Sequence, residues 1–162
     1  GRTAANLEPA TLGRLAQIKN IVAVKEASGL IGQISEVFNH VPEDFVVLSG
    51  DDVMTLPVIA LGGMGVISVA SNEIPREMAK LTRAALDGDW EMARRIHRKF
   101  LPLMQANFIE SSPLPVKAVL AMMGRVQEYY RLPLVPMKKD TRAKVEAVAV
   151  EAGLLKKTLA MK

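Results

Sequence analysis

Cysteine is absent from the 162-residue chain, so neither a disulfide framework nor a thiol nucleophile is available to it. The same absence points to an intracellular, cytoplasmic setting. Histidine is nearly as scarce: His40 and His97 stand far apart, which gives no support to a histidine-rich metal site. No serine has a partnered histidine nearby in the pattern, so a hydrolase triad is unsupported too. No apolar run approaches the roughly 20 residues of a membrane span, and no signal-peptide pattern opens the chain. An initiating methionine is also missing; Gly1-Arg2-Thr3 reads as part of a loop and suggests an N-terminal truncation or an upstream part. The formal net charge is only +4, and Lys156, Lys157 and Lys162 of a short tail account for most of it. Charge alone therefore identifies no partner.

What is present describes one globular chain with a sizeable core: 49% hydrophobic and 23% charged residues. Short apolar runs alternate with helical spacing. Glu8 to Ile18 reads as a helix with Pro9 in its first turn, and Ile21-Val22-Ala23-Val24-Lys25 follows as a strand. Ile31, Ile34, Val37, Phe38 and Val41 repeat at helical spacing until Pro42; Phe45 to Leu48 is a second strand. A helix over Val53 to Leu61 and a third strand over Val66 to Ala70 complete an αβαβαβ order, which implies a parallel sheet with right-handed crossovers. After Ser71-Asn72 the character changes to helices over Ile74 to Leu86, Trp90 to Phe108, Pro115 to Met123 and Thr141 to Leu155. The chain is thereby read as residues 1–72, rich in β/α units, and residues 73–162, a helical block.

Lys25 is the most informative side chain. It ends an apolar strand that reads as buried on both faces, and active sites of parallel α/β folds lie at the carboxyl ends of strands. Desolvation there would disfavour the ammonium form and free a lone pair to attack a carbonyl carbon. A surface lysine at a strand end is the plainer reading of the segment taken alone. Gly62-Gly63-Met64-Gly65 closes a helix and precedes a strand, the reverse of a phosphate-cradling loop, and is read as a helix C-cap and turn. Asp51-Asp52 sits where a helix needs an N-cap, and that reading is preferred to a metal or acid–base pair. Ser71-Asn72 and Ser111-Ser112 are likewise read as helix starts. Arg94, Arg95, Arg98 and Lys99 face away from an apolar stripe of Trp90, Ala93, Ile96, Phe100 and Met104; without interleaved aromatics this is a solvated helix face rather than a nucleic-acid site.

Taken in order, Gly1-Arg2-Thr3, Val24-Lys25-Glu26-Ala27-Ser28-Gly29, Leu48-Ser49-Gly50-Asp51-Asp52, Gly65-Val66-Ile67-Ser68-Val69 and Pro113-Leu114-Pro115-Val116-Lys117 resemble one family over nearly the whole chain, the dihydrodipicolinate (4-hydroxy-tetrahydrodipicolinate) synthases. The resemblance implies the C-terminal part of a (β/α)8 TIM barrel, three parallel strands with their helices, followed by a C-terminal helical extension. It implies a class I, metal-independent lyase without a cofactor, acting in lysine and diaminopimelate biosynthesis. Lys25 matches the lysine that forms an imine with pyruvate. Arg2 matches the arginine expected to bind the carboxylate of L-aspartate 4-semialdehyde, and Gly50 and Ile67 match positions lining the pyruvate pocket. Relatives are commonly homotetramers.

Departures accompany the match. A (β/α)8 barrel takes about 250 residues, and three strands cannot close one. The family's upstream half, with its proton-relaying tyrosine and pyruvate-binding threonines, is not in the chain, so this segment alone is expected to be inactive. Leu30 stands where Asp or Asn is common, and Ala4 where glycine is common. N-acetylneuraminate lyases and keto-deoxy-sugar aldolases share the imine lysine and stay open as alternatives, with Arg2 favouring the semialdehyde. A catalytically silent barrel fragment is the alternative of another class. No nucleic-acid or membrane partner is expected.

Overall fold

Short, uninterrupted apolar runs and apolar positions spaced three or four apart build the first part of the chain. In the computed structural model, which describes residues 3–156, the order is α1 (Pro9–Leu15), β1 (Ala23–Glu26), α2 (Ile31–His40), β2 (Val46–Ser49), α3 (Thr55–Ala60) and β3 (Gly65–Val66). Among the described residues the three strands form one parallel sheet in the order β1-β2-β3. Lys25 pairs with Leu48 and Leu48 with Gly65; one step on, Glu26 pairs with Ser49 and Ser49 with Val66. Helices α4 (Pro75–Leu86), α5 (Trp90–Ala106), α6 (Leu114–Met122) and α7 (Lys139–Glu151) follow. This is the α/β barrel segment with trailing helices that the motifs imply. None of the described helices is long and apolar enough to cross a membrane.

The chain divides into two compact units. One contains the residues up to Ser68 together with Thr82–Trp90; the other contains Val69–Leu81 and the residues from Glu91 onward. In the first, one face of the sheet is covered. Val24 and Val47 point toward α1, α2 and α3, joining a core of Leu12, Ile34, Val37, Phe45 and Val58. Ala23 and Lys25 project from the other face and are exposed. The expectation of a strand buried on both faces is therefore corrected to one face. A barrel's inner face is covered by strands from across the barrel, and three strands cannot supply them.

Several element ends also differ from the sequence reading. The third strand stops at Val66, with one further ladder bond from the Ile67 N–H to the Ser49 carbonyl (2.8 Å), and Ala70–Asn72 is a 3-10 turn. An edge strand is paired on one side only, and here the Asn72 side-chain amide donates to the Val69 carbonyl (2.9 Å), favouring the turn. Helix α1 ends at Leu15, and the Ile18 N–H reaches back three residues to the Leu15 carbonyl (2.9 Å). Helix α7 ends at Glu151 because the Leu154 N–H turns back to the Ala149 carbonyl (2.9 Å) beyond Gly153. Gly62, at φ 112°, and the Gly63 N–H donating to the Val58 carbonyl (2.8 Å) close α3 as a C-cap, as read. Neither aspartate holds the N-cap position of α3. Asp51 Oδ1 accepts the Val53 N–H (3.0 Å), stapling the turn before α3, while the N-cap position is Met54 with no side-chain acceptor. Ser111-Ser112 likewise precede α6, whose N-cap position is held by Pro113.

The second unit has its own core of Leu114, Ala118, Val119, Met137, Val145 and Ala149. The segment between α6 and α7 is tied down by polar links. Lys117 Nζ donates to the Tyr129 carbonyl and lies 5.4 Å from the centre of the Tyr130 ring. The Tyr130 hydroxyl contacts the Leu114 carbonyl and Glu128 Oε1, each at 3.2 Å, and Arg142 donates to Glu128 Oε2 at 2.9 Å. The Arg142 hydrogen bond holds the Glu128 carboxyl below its usual range, while burial and the Glu128 charge push the Tyr130 hydroxyl up to about 12. The basic residues of α5 read as a solvated face, Arg94, Arg95, Arg98 and Lys99, are exposed, opposite buried Ala93, Phe100 and Met104.

Candidate active site at the strand ends

Strand alternation decides which side chains meet. Lys25, Leu48 and Gly65 form one row across the sheet, and Ala27, Gly50 and Ile67 extend the next row on the same face. Lys25, Gly50 and Ile67 are thus gathered at the carboxyl end of the three strands. Arg2 lies outside the described residues, as do Lys157 and Lys162 of the basic tail.

The closest geometry is at Gly50. A Cβ built there would stand 2.7 Å from the Ala27 Cβ, 2.8 Å from the Glu26 carbonyl oxygen and 3.0 Å from Lys25 Cε. Real side chains do not approach so closely, so only glycine lets β2 run this near to β1 and leaves the lysine stem its path. The Gly50 N–H donates to that same Glu26 carbonyl at 2.6 Å, locking the two strand ends together. Lys25 is exposed, with its stem over Gly50; Ile67 is 47% exposed. The amine is reachable rather than desolvated in this unit, for the reason given for the sheet's uncovered face.

Polar turns that were not assigned roles from sequence hold the loops after the strands. Glu26, 7% exposed, faces the opposite way from Lys25, and its Oε1 accepts the Ser28 N–H at 3.0 Å. Ser28 Oγ in turn accepts the Leu30 N–H (3.2 Å). After β2, Ser49 Oγ donates to the Asp51 carbonyl (2.7 Å). The signal was a carboxylate and a serine two residues apart beside the lysine. No group of three or more His, Asp or Glu among the described residues is arranged to hold a metal ion.

A cavity of about 510 Å³ opens along the outer edge of β1, lined by Leu7, Leu12, Val24, Lys25, Glu26 and Gln33 among others. Its roof is pinned by reciprocal amide hydrogen bonds between Asn6 and Gln33 (2.8 and 3.1 Å). Gly50 and Ile67 do not line it. Lys25 is common to this edge cavity and to the site marked by the strand ends.

The order of the motifs, the parallel register and the Lys25–Gly50 approach agree with one family model, that of the dihydrodipicolinate synthetase family, which matches residues 1–152. The chain belongs to that family. The 4-hydroxy-tetrahydrodipicolinate synthase of Koribacter versatilis (strain Ellin345) is 64% identical over 156 residues, 96% of this chain and 52% of its own length. That of Acidobacterium capsulatum is 58% identical over 97% of this chain and 52% of its own length. A crystal structure of a dihydrodipicolinate synthase, 49% identical, superposes with a TM-score of 0.90 over 94% of this chain and 53% of that one. The chain spans about half the length of the relatives it matches. It is a member of a lyase family and carries a C-terminal part of the family's barrel.

Proposed function

We propose that the protein carrying this chain is a Schiff-base lyase that condenses pyruvate with L-aspartate 4-semialdehyde to 4-hydroxy-tetrahydrodipicolinate, the first committed chemistry toward diaminopimelate and lysine. The observation that carries the reading is Lys25 at the strand ends with its stem crossing Gly50, in a chain of this family. The names of the relatives support the choice of substrates over sugar aldehydes.

In this reading the Lys25 amine attacks the pyruvate carbonyl carbon and water leaves, giving a protonated imine. The imine withdraws electrons, so the pyruvate methyl group loses a proton and becomes an enamine. The enamine carbon bonds to the aldehyde carbon of the semialdehyde, whose oxygen takes up a proton. The semialdehyde's own amine then attacks the imine carbon, closing the ring and returning Lys25 as a free amine. Gly50 and Ile67 would border the pyruvate, and Arg2 would grip the semialdehyde carboxylate through its planar fork of donors.

A closed barrel needs eight strands, and the described residues supply three. The reaction is therefore assigned to a barrel whose N-terminal half stands against the free edges of β1 and β3, and the 162 residues alone are expected to be inactive. Assembly as a homotetramer in the cytoplasm belongs to the same reading. Steady-state assays of the protein with pyruvate and either L-aspartate 4-semialdehyde or N-acetylmannosamine test it. Turnover with the semialdehyde is expected to exceed turnover with the sugar. Preference for the sugar would overturn the assignment.

A further inference from the structure

Glu26 is a carboxylate in a place where a carboxylate is costly. It is 7% exposed, on the helix-facing side of β1, and burial of such a group is sustained only when it accepts hydrogen bonds. Its Oε1 takes the Ser28 N–H at 3.0 Å, and its main-chain carbonyl takes the Gly50 N–H at 2.6 Å. Side chain and main chain thus restrain the backbone just past Lys25 from two directions. The lysine stem has little else to define it, since the residue is exposed and its Cε passes over Gly50.

We propose that Glu26 is a positioning residue for Lys25: its carboxylate braces the turn after β1 by accepting the Ser28 N–H, and so sets where the amine stands over Gly50. The proposal rests on the imine reading of Lys25 and adds to it a residue that touches no substrate. What matters is an acceptor oxygen at the end of the side chain, so Glu26→Gln keeps the function and Glu26→Ala loses it.

The test is the rate at which borohydride traps a pyruvate adduct on the protein carrying this chain, as a function of pyruvate concentration. Glu26→Gln is expected to trap within about 2-fold of the unaltered protein, and Glu26→Ala to trap about 10- to 100-fold more slowly at saturating pyruvate, the scale of a small misplacement of a reacting group. The half-saturating pyruvate concentration should change little. A folded Glu26→Ala protein that traps at the unaltered rate overturns the proposal, and so does a Glu26→Gln protein as slow as Glu26→Ala. Should Glu26→Ala not fold, Ser28→Pro, which deletes the donor and keeps the carboxylate, takes its place with the same expectation. Failure of both to fold also overturns the proposal, because the brace would then serve stability of the chain and not the pose of the amine. Amide hydrogen exchange at Ser28 separates the two readings. It should be faster in Glu26→Ala, or the replacement's effect should appear at Gly50 for Ser28→Pro; unchanged exchange overturns the proposal alone, whereas unaltered protein that exchanges as expected yet traps no pyruvate overturns only the imine reading.

Discussion

At Gly50 a single methyl group would be felt in the site itself. Its missing side chain leaves room that the Ala27 Cβ, the Glu26 carbonyl and the Lys25 stem all border. Two of these are main-chain or β-carbon atoms that cannot swing aside, so Gly50→Ala must shift a strand end. We expect it to slow turnover of pyruvate by about 10²-fold in kcat, the cost of a misplaced reactive group, with the overall fold intact by circular dichroism. Ala4 is the opposite case. It adopts φ 53°, the left-handed region that favours glycine. Ala4→Gly should remove strain and raise stability in thermal melts by up to about 1 kcal/mol. A third residue-scale expectation concerns Glu128. The Arg142 hydrogen bond lowers its pKa from the ordinary value of 4.5. The pair therefore contributes fully above that value, and its contribution fades as pH falls through the lowered folded-state pKa. With side chains 38% and 23% exposed the contribution is small, and Glu128→Gln should cost about 0.5 kcal/mol at neutral pH. Denaturant melts of the two proteins should converge in acid.

Helix α2 shows how far the sequence speaks for an element. Its apolar spacing placed it correctly, because Ile34 and Val37 must enter the core and are wholly buried. Its start was not so legible. Leu30 is the N-cap, 60% exposed, with no side chain able to accept a backbone N–H. Leu30→Asp, which supplies that acceptor, should stabilise the protein by about 1 kcal/mol in thermal or chemical melts. The strands tell the same story. β1 and β2 were visible as β-branched runs, and their Lys25 and Gly50 ends as motif positions. Val66 to Ala70 has strand-like composition, while the third strand's actual length is set by pairing on one edge and by the Asn72 amide. The brace between Glu26 and Ser28 was hidden for a different reason. A buried glutamate and an exposed one look alike in sequence, and only the third dimension separates them.

At the scale of the molecule, the first unit is a sheet with one covered face and two free edges, and the relatives it matches are about twice as long. Both facts fit a barrel segment whose inner face carries Lys25. Periodicity alone implied parallel β/α units; the barrel came from five motifs in order, since strand count in a 162-residue chain cannot by itself distinguish an open sheet from an arc of a closed one. The exposure of Lys25 follows from the same geometry, and so does the expectation that catalysis belongs to the completed barrel. The proposed bond between this amine and pyruvate stands at the centre of the mechanism. Borohydride reduction of the protein in the presence of pyruvate, followed by peptide mass spectrometry, tests it directly. A reduced pyruvate adduct on Lys25, lost in Lys25→Arg, is the expected result. An active protein with Lys25 unmodified, or with the adduct on another lysine, would rule out Lys25 as the imine-forming residue.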